Sequence, residues 1–108
     1  MIRVDITKNE QQYKEILLQG HAGYADKGTD IVCAAVSVLV INTFNSIETF
    51  TDDYLSEDVD EKKARIRFVL KDQLGDQARL LIDSMLLGLE QIQEQYGSSY
   101  LKVNYKEV

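Results

Sequence analysis

The sequence predicts an α+β fold in the order ββαββαβ, a mainly antiparallel sheet with two helices packed on it. Three observations carry that expectation. Ile2, Val4 and Ile6 alternate with Arg3, Asp5 and Thr7, the period-two pattern of a half-buried strand. Ala78, Leu81, Ile82, Met85, Leu86, Leu89, Ile92 and Tyr96 recur at steps of three and four, the apolar stripe of a helix. Between them lies an apolar stretch from Asp30 to about Thr51, in which Phe44, Ile47 and Phe50 keep a three-residue step.

The elements follow in order. After the first strand, Lys8 to Gln11 is a polar turn, and Tyr13 to Gly20 is a second strand that pairs with the first as a hairpin. Ala22 to Thr29 is a loop, with Gly23 and Gly28 supplying permissive backbone angles. Asp30 or Thr29 caps the helix that follows. That helix carries β-branched residues, which leaves a strand open on propensity, but its length and later spacing favour a helix. It is apolar on nearly every side, so it should be buried on more than one side, by the sheet and by a second helix or subunit.

Asp52 to Glu61 holds six acids and no base. It includes a short strand around Tyr54 to Val59, and its charges suit a solvated sheet edge better than a binding site. Asp60 to Lys63 reads as a hairpin turn, and Ala64 to Leu70 as the strand after it, with Ile66, Phe68 and Leu70 on one face. Gln73 to Asp76 is a turn and cap before the helix from Gln77 to Tyr96, which Gly97 ends. Tyr100 to Val108 closes the order as a strand, with Leu101, Val103 and Tyr105 on one side.

Residues 1–108 are expected to form a single domain, long enough for one core. No stretch was expected to reach the ~20 apolar residues of a membrane span. The start, MIRVDITKNE, lacks the apolar region of a signal peptide, so the expected location is cytoplasmic. The one cysteine cannot form an internal disulfide, which suits a reducing compartment. A net charge of −6 argues against binding dominated by nucleic-acid phosphates. It is compatible with a basic protein partner, and equally with nothing more than solubility.

The chemistry concentrates between Gly20 and Ser37. This stretch holds the only histidine, His21, and the only cysteine, Cys33, twelve positions apart. Cys33 falls in the first turn of the predicted helix, where unpaired N–H groups and the helix dipole favour negative charge. The thiolate is the nucleophilic form of cysteine, and an imidazole beside it can take up the proton. The same N–H groups could hold an oxyanion on an attacked carbonyl. Asp30, three residues before Cys33, either caps the helix or orients His21. Ser37, four residues after, either donates into the site or bonds back to its own helix. Taken alone, these residues leave open an ordinary buried cysteine and an ordinary surface histidine. One Cys and one His fall short of the three or four protein ligands of zinc, so neither a metal nor another cofactor is expected.

Gly20-His21-Ala22, then Gly28 and Asp30-Ile31-Val32-Cys33-Ala34-Ala35-Val36-Ser37, resembles the signature of the ribosomal-processing cysteine proteases, the Prp family. The end of the second helix and the closing strand are similar too, so the resemblance covers essentially the whole domain. It implies a small cytoplasmic homodimer that acts on a peptide. The substrate it implies is the short N-terminal extension of large-subunit ribosomal protein twenty-seven, apolar, with paired aromatics before the scissile bond and a small residue after it. By the same resemblance Cys33 is the nucleophile and His21 the general base, with Gly20, Asp30 and Ser37 in supporting places. The loop from Ala22 to Thr29 corresponds to the family's mobile loop. It implies no direct contact with nucleic acid or membrane. Two rival readings differ in what the thiol does: a non-catalytic assembly factor that binds the same protein, and a redox sensor with an accessible thiol.

Overall fold

The computed structural model describes residues 1–10, 12–26, 29–70 and 72–108. Five strands and two helices follow the expected order: β1 (Ile2–Asn9), β2 (Gln12–Gln19), α1 (Ile31–Phe50), β3 (Ser56–Asp60), β4 (Arg65–Val69), α2 (Asp76–Tyr96) and β5 (Leu101–Glu107). The sheet order is β3-β4-β2-β1-β5. Three of its pairings are antiparallel, and β5 joins β1 in parallel, so the sheet is mixed. Ile2 stands opposite Leu101 and Val4 opposite Val103 across that parallel pairing.

The alternation seen in the sequence sets the two faces. Val4 faces Leu18, and Ile6 faces Ile16, which in turn faces Phe68. These side chains are buried, and they join the stripes of α1 and α2 in one core. Burying a side chain such as Ile6 or Ile16 contributes about 1.5–3 kcal/mol each. On the other face of the sheet the partners are polar. Arg67 grips Glu15 with two hydrogen bonds of 2.9 and 3.3 Å, and Asn104 donates to Asp5 at 3.2 Å.

α1 departs from expectation in how it is covered. Its buried stripe is Val32, Val36, Val40, Thr43 and Ile47. Ile31, Val38, Ile41 and Phe50 are exposed, because the sheet and α2 together enclose only part of its circumference. By length and composition α1 is apolar enough to cross a membrane, contrary to the expectation drawn above. Here it is a core helix, packed against the sheet and α2. Thr43 is its one buried polar residue, and its hydroxyl donates to Leu39 O at 2.7 Å. Gly88 on α2 leaves the room that the Leu39 side chain occupies.

The remaining differences lie at element ends. β1 runs on to Asn9, and the chain turns at Glu10, whose φ is 53°. Gln11, the last residue of the expected turn, lies outside the described residues. β3 starts two residues later than expected, and the turn after it covers 61–64, with Ala64 at φ 48°. α2 starts at Asp76 after the N-cap Gly75, whose N–H is held by the Asp53 carboxylate at 3.1 Å.

Candidate active site

Where β2 ends, the chain has to leave the sheet sharply. Gly20 makes this possible: it adopts φ 100°, and a side chain there would run into the Met1 carbonyl. Its N–H donates to Ala64 O at 2.9 Å, which ties the corner to the β3–β4 turn. His21 therefore stands just beyond the sheet, with its side chain exposed. Ala22 turns inward and is only 2% exposed.

Cys33 arrives from the other direction, on the first turn of α1, half-buried. The Ala22 N–H donates to its sulfur at 3.2 Å. That contact places the end of β2 against the start of α1. His21 and Cys33 line one groove of about 350 Å³. Among the described contacts no hydrogen bond joins the imidazole to the sulfur directly. Val36, Val40 and Ile41 of α1 form one wall of the groove, and Val59 and Ile66 form the wall facing it. Ser37 is on the α1 wall and is exposed.

Asp30 settles the start of α1. One carboxylate oxygen accepts from the Val32 and Cys33 N–H groups, both at 3.0 Å. The other accepts from the loop, from Tyr24 N–H at 3.0 Å and Ala25 N–H at 3.4 Å. These hydrogen bonds, the one from Cys33 foremost, hold its carboxyl below the usual carboxylate range. The carboxylate thus caps the helix and clasps the loop at once, and its described bonds all go to backbone. This changes one expectation. The N–H groups of Val32 and Cys33 were candidates to hold an oxyanion, but the cap engages them. The donor at the sulfur is Ala22 N–H, a main-chain group that no reading of side-chain types could single out.

Gly23 has φ 70° with open space around it, as a permissive loop position should. Gly28 lies outside the described residues. Thr29 closes the loop by bonding back to Asp26 O through both its N–H and its hydroxyl. The tyrosine ring of Tyr24 packs edge-on against Tyr96 and Tyr100. Phe44 lies flat on Phe68, and Tyr54 is exposed, so none of the three aromatics lines the groove beside Cys33. Among the described residues no group of three His, Cys, Asp or Glu side chains is placed to hold a metal.

A free thiol at a capped helix start, an imidazole on the same groove and apolar walls beyond them form the kind of site a cysteine hydrolase uses. Residues 1–102 match the model of the cysteine protease Prp family, and the chain belongs to that family. The ribosomal processing cysteine protease Prp of Staphylococcus aureus is 32% identical over 107 residues, covering 98% of this chain and 100% of that protein. The protein of the same name from Bacillus subtilis is 31% identical over 83 residues, 73% of this chain and 74% of its own. A crystal structure of the S. aureus protease with a covalently linked product peptide matches with a TM-score of 0.92, at 32% identity over 98% of this chain and 100% of that one. A second, with a substrate peptide, matches with a TM-score of 0.86, at 31% identity over the same shares.

Proposed function

We propose that this chain is a cysteine endopeptidase that removes the short N-terminal extension of large-subunit ribosomal protein twenty-seven during ribosome assembly. The observation that carries this reading is the apolar groove that runs from Cys33 and His21 between α1 and the β3–β4 hairpin. It suits an extended apolar peptide, and it lies in a chain that superposes on a relative captured with a peptide covalently linked.

In this reading His21 takes the proton of Cys33, and the sulfur attacks the carbonyl carbon of the scissile bond. The carbon–nitrogen bond breaks as His21 returns the proton to the leaving amine. The extension remains on sulfur as a thioester. A water, deprotonated by His21, attacks that carbonyl, and the thiolate leaves and is reprotonated. Ala22 N–H is already held at the reacting sulfur. Asp30 fixes the helix start rather than the imidazole. The enzyme acts in the cytoplasm as a homodimer. Association with a second copy would cover apolar residues such as Ile31 and Val38 of α1 and Leu80 and Leu87 of α2, all exposed in the single chain.

Mass spectrometry of the ribosomal protein's N-terminus, with and without the purified enzyme, tests the proposal. Loss of the extension with wild type and its retention with Cys33→Ala is the expected result. Turnover by Cys33→Ala would remove the nucleophile assignment. Binding without cleavage by the wild type would favour the assembly-factor reading.

A further inference from the structure

The N–H that meets the sulfur belongs to a segment with weak local restraint. Gly20 and Gly23 flank it at positive φ, and neither has a side chain to anchor it. Something outside the segment must therefore hold Ala22 in place. Two contacts do. The Asp30 carboxylate takes the Tyr24 N–H, and the Tyr24 ring enters a seat made by two other tyrosines. Its centroid is 5.5 Å from that of Tyr96 at 81° and 5.0 Å from that of Tyr100 at 75°. Both are edge-to-face arrangements, the favoured geometry for aromatic rings. Tyr96 ends α2 and Tyr100 directly precedes β5, so the seat belongs to the rigid frame and not to the loop.

We propose that Tyr24 is a positioning residue for the Cys33 thiol: seated between Tyr96 and Tyr100, its ring holds the 21–25 segment so that Ala22 N–H stays on the sulfur. The kinetic part rests on Cys33 being the nucleophile. A donor N–H at the sulfur sets a positive dipole against the charge that the reacting atom carries, and it also fixes the direction from which the sulfur attacks. Tyr24 itself is 41% exposed and lies outside the core, so its removal should leave the frame folded.

Alkylation by iodoacetamide gives a readout confined to this site, because Cys33 is the only cysteine. The plateau rate at alkaline pH reports access to the sulfur. The ratio of the neutral rate to that plateau reports how the surroundings favour the reactive form. The charged or titratable groups around the sulfur are His21 and Asp30, and across the groove Asp60, Glu61 and Arg65. All are retained in a Tyr24 variant, so a changed ratio reports the donor. Tyr24→Leu should lower that ratio, and kcat for peptide cleavage, by roughly tenfold, the scale set by losing edge-to-face contacts. Tyr24→Phe should restore both, since the ring and not the hydroxyl makes the contacts. Tyr100→Leu should repeat the loss from the other side of the seat and serves if Tyr24→Leu does not fold. An unchanged ratio in folded Tyr24→Leu or Tyr100→Leu overturns the proposal, as does a Phe variant no better than Leu. A lowered ratio in a protein whose wild type cuts no peptide would uphold the positioning role and remove the protease reading alone.

Discussion

Gly20 packs directly against the carbonyl of Met1, at a φ of 100° that only glycine adopts without strain. The two residues lock the exit of β2 to the entry of β1. Gly20→Ala faces both the conformational cost and a clash with main chain that no side-chain rotation relieves. Destabilisation of about 2 kcal/mol or more is expected. Urea titration followed by far-ultraviolet circular dichroism measures it. Because His21 is the next residue, cleavage should fall more than the loss of folded protein explains.

His21→Ala should reduce turnover by roughly 10²–10⁴-fold, the usual contribution of a positioned general base. His21 is exposed, so the melting temperature should barely move. Steady-state cleavage of an extension peptide beside a thermal melt separates the two effects. Wild-type turnover in this variant would end its assignment as the base.

Asp30→Asn tests the double duty of one carboxylate. The substitution keeps an oxygen for the helix cap but cannot serve four backbone N–H groups as the carboxylate does. The cap should survive in part while the loop loosens, which proteolytic nicking between residues 21 and 30 would reveal. The pH dependence has a definite sign. The folded protein holds this carboxyl below its ordinary value, so its stabilising effect is present above about pH 4 and disappears as pH falls further. Wild type should lose loop protection in that acid range, and Asp30→Asn should show no such step.

Two tyrosines at the opposite end of the sheet should mark an alkaline limit. Burial raises the pKa of Tyr13 and Tyr105 well above the ordinary tyrosine range, assisted by hydrogen bonds to Asp83 and Glu90 respectively. Their contribution is complete below about pH 10 and declines as the solution becomes more alkaline, where the unfolded chain ionises first. Tyrosinate absorbance should rise in two stages, with these two of the six tyrosines titrating last and together with unfolding. Tyr13→Phe should remove part of the late stage.

Much of this architecture was legible because local pattern and burial coincide. Ile2, Val4 and Ile6 alternate and are buried, and the α2 stripe holds Ala78, Ile82, Met85, Leu86 and Leu89 in the core. Asp30 was recognisable as a cap because its side-chain chemistry acts on its immediate neighbours. The parallel partnership of β5 with β1 was not legible, since nothing local in Leu101 to Glu107 names a partner a hundred residues away. The groove was hidden for the same reason: Ile41 and Val59 meet only after two separate elements pack. α1 looked fully buried because apolar composition records what a surface could cover, not what covers it. Ala22 N–H stayed invisible because every residue except proline carries the same group.

The parallel joining of β5 to β1 imposes an order on biogenesis. A ribosome adding about 5–20 residues per second needs several seconds between making Ile2 and making Leu101. For that interval the nascent β1 has an open hydrogen-bonding edge, and Tyr100 has not yet been supplied to the tyrosine seat. Maturation of the thiol's surroundings is thus tied to the last strand to emerge. A chain stalled short of that strand would carry Cys33 and His21 yet lack the frame that sets them.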